Sequence, residues 1–297
     1  MMKHMSISSM NLDTVLNQAS QQLQQNGISN ARHVAQILLR NCLDLDREEV
    51  LRSPKQLVRS GSVAKFYRAV SRRCHHEPVS RIIGFREFWS LPFKVTSAVL
   101  DPRSDSETVV AAALDFSEHR KYESLRVLDL GTGTGCLVMA FLSERHNATA
   151  IATDISVEAL SVARSNAVSL GLAQRCTFVS ANWCAGISDR FDVVLANPPY
   201  IPTAVIPTLE ADVYRYDPHV AIDGGVDGGA CYQQLIPLLS KVLRRGARVF
   251  LEIGVEQSEL VTNILRANML SVIEIRKDLS GNARCIVAEA ETDKKKG

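Results

Sequence analysis

The chain has 297 residues, 46% hydrophobic and 22% charged, with a formal net charge of +2. This is ordinary globular composition, long enough for one large domain or two smaller ones with real cores. It excludes fibrous and low-complexity classes, and the near-neutral balance gives no overall field of the kind a dedicated nucleic-acid binder carries. Seven cysteines, an odd and unclustered set, fit scattered reduced thiols better than a disulfide framework or a zinc site. The first thirty residues lack an apolar signal segment. No window approaches the roughly 18 uninterrupted apolar residues of a membrane span, so a cytoplasmic protein without membrane contact is expected.

Residues 10 to about 75 carry helical spacing. Leu12, Val15, Leu16, Ala19 and Leu23 share one face, and Asn26-Gly27 supplies a stop. A second helix follows Asn30, a candidate N-cap, and further helical turns follow Ser53-Pro54. His75 and His76 point different ways on a helix, which fits exposed polar residues rather than a metal pair. Near Pro78 the texture changes. Residues 81–102 alternate around Phe85, Phe88, Trp89 and Phe93 and predict a β-hairpin joining two domains. A helix then begins near Ser104 or Asp105 as cap, with Glu107 in its first turn, where a carboxylate suits the dipole.

From Arg126 strands and helices alternate. Strands are predicted at 126–131, 149–154, 176–182 and 191–197, each of the first two followed by a helix. A long loop, a helix at 229–244, a strand at 248–254 and a helix at 255–268 come next. Two last strands, 271–278 and 283–290, flank a turn and should pair antiparallel. Such alternation predicts a parallel sheet covered on both faces by helices, with one antiparallel edge strand. The lysines at 294–296 read as a solvated tail.

In such sheets ligands bind beyond the C-terminal strand ends, near the switch in strand order. Four of these ends are chemically distinctive. The first is Asp129-Leu130-Gly131-Thr132-Gly133-Thr134-Gly135, whose glycines permit a tight turn and close approach of backbone to a ligand. It matches neither the P-loop nor the dinucleotide fingerprint, since position 136 is Cys, and a plain strand-to-helix turn would also use it. Asp154 closes the second strand and can either accept ribose hydroxyls or cap the next helix. Asn182-Trp183 closes the third, where the indole can cover an adenine face or fill a core. Asn197-Pro198-Pro199-Tyr200 ends the fourth. The prolines stop the strand and leave the Asn197 side chain, the Pro198 carbonyl and the Tyr200 ring at its end. Asn197 and Pro198 can accept the two N–H hydrogens of an amide or amino nitrogen, while Tyr200 can pack on a planar group. A strand-terminating turn with a buried asparagine is the plainer alternative. The set of four fits S-adenosylmethionine, an adenosine with an amino-acid tail and no pyrophosphate.

On these residues the sequence resembles the class I methyltransferases with an N/D-P-P-Y/F motif. More narrowly, it resembles the HemK/PrmC protein-(glutamine-N5) methyltransferases, which act on peptide chain release factors. The narrower likeness rests also on REFWSLPFKV (86–95), on DPRSDSETVV (101–110), on ATDIS (152–156) and on RKDLSGNARCIVAEA (276–290). Ser104 and Ser106 stand where that family usually has Pro and Thr, and Asn182 where it often has Asp. The resemblance implies a helical substrate-recognition domain at 1–77, a β-hairpin linker at 78–100 and a Rossmann-like, seven-stranded methyltransferase domain at 101–297. It implies methyl transfer from S-adenosylmethionine to the glutamine of a release factor's Gly-Gly-Gln loop, leaving S-adenosylhomocysteine and needing no metal. Cofactor binding would fall to Gly131, Thr132, Gly133, Thr134, Gly135, Asp154, Trp183 and Asn197. Catalysis would fall to Asn197, Pro198 and Tyr200, and substrate binding to Asn197, Pro198, Pro199 and Tyr200. A ribosomal-protein glutamine and the amino group of a DNA or RNA base are alternative acceptors. The balanced charge and lack of a basic recognition domain count against nucleic acid.

Overall fold

The computed structural model describes residues 10–290; the lysine run at 294–296 lies outside them. The chain divides into two compact units, residues 10–84 with Ala211–Tyr216, and residues 85–210 with 217–290.

The first unit is helical: α1 (Leu12–Gln25), α2 (Ala31–Leu43), α3 (Arg47–Arg52), α4 (Ser60–Cys74) and α5 (Val79–Ile83). The predicted stripe is the buried face of α1, where Leu12, Val15, Leu16, Ala19 and Leu23 join Leu38 and Leu39 of α2 and Phe66 and Val70 of α4 in one core. Asn11 caps α1 by accepting the Thr14 N–H at 2.9 Å. Asn30 does hold the N-cap position of α2, but its backbone is left-handed and its side chain makes no cap bond. The helical run expected after Pro54 starts only at Ser60. The preceding residues form a turn at 54–55 and one isolated bridge from Leu57 to Asn11 at the start of α1, with Leu12 N–H donating to Gln56 O at 3.0 Å and Val58 N–H to Met10 O at 2.9 Å.

The second unit opens with a hairpin shorter than the alternation predicts. β1 (Phe85–Phe88) pairs antiparallel with β2 (Leu91–Lys94), while residues 79–83 are α5 rather than strand. Trp89 and Ser90 both take positive φ, 52° and 56°, the mirror-turn geometry that a two-residue hairpin loop needs. Neither Ser104 nor Asp105 caps the next helix; both lie in a 3-10 turn, and α6 (Glu107–Phe116) starts without a cap bond. Glu107 instead accepts the Trp89 N–H at 2.8 Å and braces the hairpin turn.

There follow β3 (Arg126–Leu130), α7 (Cys136–Glu144), β4 (Thr149–Asp154), α8 (Val157–Ser169), β5 (Cys176–Ser180) and β6 (Phe191–Ala196). Helix α9 (Ala211–Tyr216) belongs to the helical unit. Then come α10 (Ala230–Val242), β7 (Leu243–Glu252), α11 (Ser258–Ala267), β8 (Leu270–Lys277) and β9 (Ala283–Ala290). Among the described residues, seven strands form one sheet in the order β5-β4-β3-β6-β7-β9-β8. Alternate residues face opposite layers. Val127, Val193, Leu195 and Phe250 pack under α6, α7 and α8, while Leu128, Leu130, Val194, Val249 and Leu251 pack under α10 and α11.

The predicted antiparallel pairing of the last two strands is present, but the antiparallel strand is not the edge. β9 inserts between β7 and β8, antiparallel to both. Burial explains the choice. Cys285, Ile286, Val287 and Ala288 are apolar on both faces and suit an interior position, whereas β8 carries Glu274, Arg276 and Lys277, which suit an edge. The chain runs outward from β3 to β5 and returns to β6 on the other side of β3, so the switch point lies between β3 and β6.

Candidate active site

A cavity of about 540 Å³ opens beyond the C-terminal ends of β3, β4 and β6, at that switch point. Gly131, Thr132, Gly133 and Thr134 line it from the turn after β3, Asp154 from β4, Trp183 from the segment after β5, and Asn197 and Pro199 from β6. Gly135, Pro198 and Tyr200 are not among its lining residues.

The glycine turn is fixed by its own hydrogen bonds. Thr132 N–H donates to Thr153 O at 2.8 Å, and Gly135 N–H donates to Thr132 O at 2.7 Å. Gly135 stands at φ +81°, and a Cβ there would press on the Met139 Cε methyl, so the start of α7 favours a glycine. Asp154 ties two segments together, accepting Gly133 N–H on Oδ2 and Ser156 N–H on Oδ1, both at 2.9 Å. The cap of α8 is Ser156, not Asp154, since the Ser156 hydroxyl accepts Ala159 N–H at 3.1 Å. Buried Asn166 binds Thr134 O and both backbone groups of Lys94, so the hairpin is stitched to the glycine turn.

Trp183 also has positive φ, 54°, and its ring lies 3.5 Å from where a Cβ on Gly131 would stand. Its Nε1–H donates to Gln234 Oε1 at 3.4 Å. Nothing stands within 4 Å of where a Cβ on Gly133 would be, so the turn presents open backbone to the cavity.

Asn197 Nδ2 donates to Ser106 Oγ at 3.1 Å. Tyr200 turns inward, its hydroxyl donating to Glu252 Oε1 at 3.3 Å, and burial pushes its phenol above the ordinary range. Its carbonyl accepts Gln257 Nε2 at 2.8 Å. Two glycines make room for this stretch of backbone, since a Cβ on Gly224 would meet Tyr200 Cα at 2.7 Å and one on Gly228 would meet Tyr200 O at 2.3 Å.

Two buried carboxyls stand out. Burial pushes Asp129 up to about 7, helped by the charge of Asp154 and opposed by the hydrogen bond from Thr132 at 2.5 Å. Burial likewise pushes Glu252 up to about 7, against the pull of Ser106, Arg284 and Tyr200. Ser106, Glu252, Gln257 and the glycines at 224 and 228 are additions to the residues read from sequence. The signals were there for some: a glutamate inside the apolar run Val249-Phe250-Leu251-Glu252-Ile253, and the glycine-rich stretch at 224–229. Gln257 carried none.

Among the described residues no group of three or more His, Cys, Asp or Glu could hold a metal ion, and no helix is long and apolar enough to cross a membrane.

The fold and this site define a class I methyltransferase. In solved structures the same architecture occurs in the hMettl16 catalytic domain in complex with a MAT2A 3'UTR hairpin, at TM-score 0.54 and 14% identity over 81% of this chain and 86% of that one; the likeness is of fold alone. Residues 14–84 match the PrmC N-terminal domain and residues 121–294 a methyltransferase domain. The release factor glutamine methyltransferase of Bradyrhizobium diazoefficiens is 41% identical, over 86% of this chain and 86% of that protein. That of Caulobacter vibrioides is 38% identical over 91% and 93%. The chain belongs to the release factor glutamine methyltransferase family.

Proposed function

We propose that this protein transfers a methyl group from S-adenosylmethionine to the side-chain amide nitrogen of the Gly-Gly-Gln glutamine in a peptide chain release factor. The observation that carries the reading is Asn197. Its amide stands at the cavity wall, at the end of a buried strand, with its NH2 group engaged by Ser106.

The donor set of the cavity fits an adenosyl cofactor. Gly133 leaves an open cradle, Asp154 retains acceptor lone pairs beyond its two backbone bonds, and the Trp183 ring covers Gly131. When bound, the cofactor would supply an electrophilic methyl on a sulfonium. Gly131, Thr132, Gly133, Thr134 and Gly135 would shape its binding turn, Asp154 would accept ribose hydroxyls, and Trp183 would cover the base. An amide nitrogen is a weak nucleophile because its lone pair is shared with the carbonyl. Asn197 Oδ1 and the Pro198 carbonyl would accept its two N–H hydrogens, hold the nitrogen in place and favour the positive charge that develops on it. The Pro198-Pro199 pair fixes those acceptors, and Tyr200 anchors the segment through Glu252. S-adenosylhomocysteine would remain as product, and the proposed transfer draws on no metal.

The match to the PrmC N-terminal domain over residues 14–84 supports a division of labour. In it the helical residues up to about 77 recognise the release factor, 78–100 act as linker and 101–297 carry the chemistry. Relatives named for release factors over most of their length favour that acceptor over a ribosomal protein or a nucleic acid. The same relationship supports a site of action in the cytoplasm.

The test is incubation with methyl-labelled S-adenosylmethionine and, separately, release factor, ribosomal protein and DNA, using wild type and Asn197→Ala. Label on the one Gly-Gly-Gln glutamine, reduced about a hundredfold or more in the variant, is expected. Label on ribosomal protein or DNA in its place would reject the acceptor.

A further inference from the structure

The polar interior beneath Asn197 determines which way its amide faces. A primary amide carries an acceptor oxygen and a donor NH2 group of nearly equal shape, so its hydrogen-bond partners fix its orientation. The partner here is Ser106, 2% exposed, whose Oγ accepts from Asn197 Nδ2 at 3.1 Å. A serine hydroxyl donates as readily as it accepts. Were Ser106 to donate to Asn197, the amide would turn over and present its NH2 group to the cavity.

The group able to prevent this is Glu252, the last residue of β7, 1% exposed. Its Oε1 accepts the Tyr200 hydroxyl, and its buried Oε2 has no hydrogen-bond partner among the described residues. No hydrogen bond reaches that oxygen in this structure; Ser106, already joined to Asn197, is the hydroxyl that most favours the charged form of this carboxyl. A carboxylate only accepts, so a Ser106 hydroxyl turned to that open oxygen would spend its hydrogen there and keep a lone pair to offer. Arg284 also faces Glu252 and favours its charge, while Asp105 opposes it; the hydroxyls of Tyr200 and Tyr232 and the thiols of Cys136 and Cys285 complete its ionisable surroundings.

We propose that Ser106 and Glu252 are positioning residues that polarise Asn197. Glu252 accepts the Ser106 O–H, Ser106 accepts the Asn197 Nδ2–H, and Asn197 Oδ1 is held toward the cavity as an acceptor selective for a nucleophile bearing N–H. The inference deepens, and rests on, the reading of Asn197 as the group that accepts the substrate's N–H hydrogen.

Steady-state methylation of release factor is compared for wild type, Ser106→Ala, Ser106→Thr and Glu252→Gln, with cofactor affinity and Tm measured on each. A glutamine at 252 can donate as well as accept, which frees Ser106 to donate and the amide to invert. Ser106→Ala and Glu252→Gln should lower kcat about tenfold to a hundredfold, with cofactor affinity and substrate KM within about threefold of wild type. Ser106→Thr keeps the hydroxyl and should restore kcat to within about threefold. Wild-type kcat should fall on acidification through about pH 7, as Glu252 gains a proton and can donate, and Ser106→Ala should lack that limb. Undiminished kcat in Ser106→Ala, no rescue by threonine, or an unchanged acid limb in Ser106→Ala would each overturn the proposal. If Glu252→Gln does not fold, the two serine variants and the pH profile decide between the relay and its absence. If wild type labels ribosomal protein or DNA instead, the release-factor reading fails. The same variants then test the relay on the acceptor that is labelled.

Discussion

Asp154 shows how one side chain can shape a loop and still face a ligand. Each of its oxygens takes one backbone N–H, Gly133 on one side and Ser156 on the other, which leaves a further lone-pair site on each. Asparagine in its place has a single acceptor oxygen and must release one of the two segments. Asp154→Asn should therefore weaken S-adenosylmethionine binding about tenfold or more, measured by calorimetry. An unchanged affinity would remove Asp154 from the proposed cofactor site. Its place at the cavity was legible in the sequence because a carboxylate closes the strand that follows a glycine loop, although the same residue could equally have capped the next helix. The proposed roles of Ser106 and Glu252 were not legible. Their proposed partnership would join a 3-10 turn to the end of β7 across a long sequence separation, and no local periodicity records such a pairing. Trp183 was readable as an aromatic at a strand end, but not its left-handed backbone, which no flanking glycine announces.

At the scale of elements, the segment after β6 is held by a loop that leaves it little room. Ile201 N–H donates to Ile222 O at 3.0 Å and Gly224 N–H to Ile201 O at 2.8 Å, while Gln257 bridges Tyr200 O and Gly254 N–H. Gly228, at φ +76°, sits where a Cβ would meet Tyr200 O at 2.3 Å and Gln257 Nε2 at 2.4 Å. Gly228→Ala should cost about 1–2 kcal/mol from its left-handed backbone alone, with more from the clash. It should also lower kcat by moving the Asn197–Tyr200 segment. A melting temperature and kcat equal to wild type would show that the loop yields freely. The alternation of strands and helices was plain in the sequence because buried strands and amphipathic helices have different periods. The place of β9 was not, since strand order depends on which hairpin arm has two apolar faces, Cys285–Ala288 against Glu274–Lys277.

For the whole molecule, Asp129 and Glu252 set a pH dependence of stability opposite to that of an ordinary salt-bridged carboxylate. Both titrate near 7 when folded, above the ordinary values of 3.8 and 4.5. The folded state therefore binds protons that the unfolded state has already released. Their contribution is fully present below about pH 4 and is lost as pH rises through about 7. Asp278 and Asp223, whose carboxyls are held below the usual range, act in the opposite sense as pH falls. The difference in unfolding free energy between wild type and Glu252→Gln, followed from pH 4 to 8, isolates the effect. Wild type should lose stability relative to the variant as pH rises through that window, and parallel curves would contradict it. If Ser106 and Glu252 act as proposed, the charge that orients Asn197 is the same charge that strains the interior.

The insertion of β9 between β7 and β8 has a consequence in time. On a ribosome β7 and β8 emerge before the strand that belongs between them, so the β7 edge, with Val249, Phe250 and Leu251, must wait unpaired. An open apolar edge is where a nascent chain meets chaperones or a neighbouring polypeptide. Arg284 arrives with that late strand and closes on Ile253 O and Asp278 beside Glu252. The interior that holds the Asn197–Tyr200 segment is thus finished by β9, the last of this sheet's seven described strands in chain order, and a chain stalled before β9 would carry every glycine of the glycine turn yet lack that closing strand.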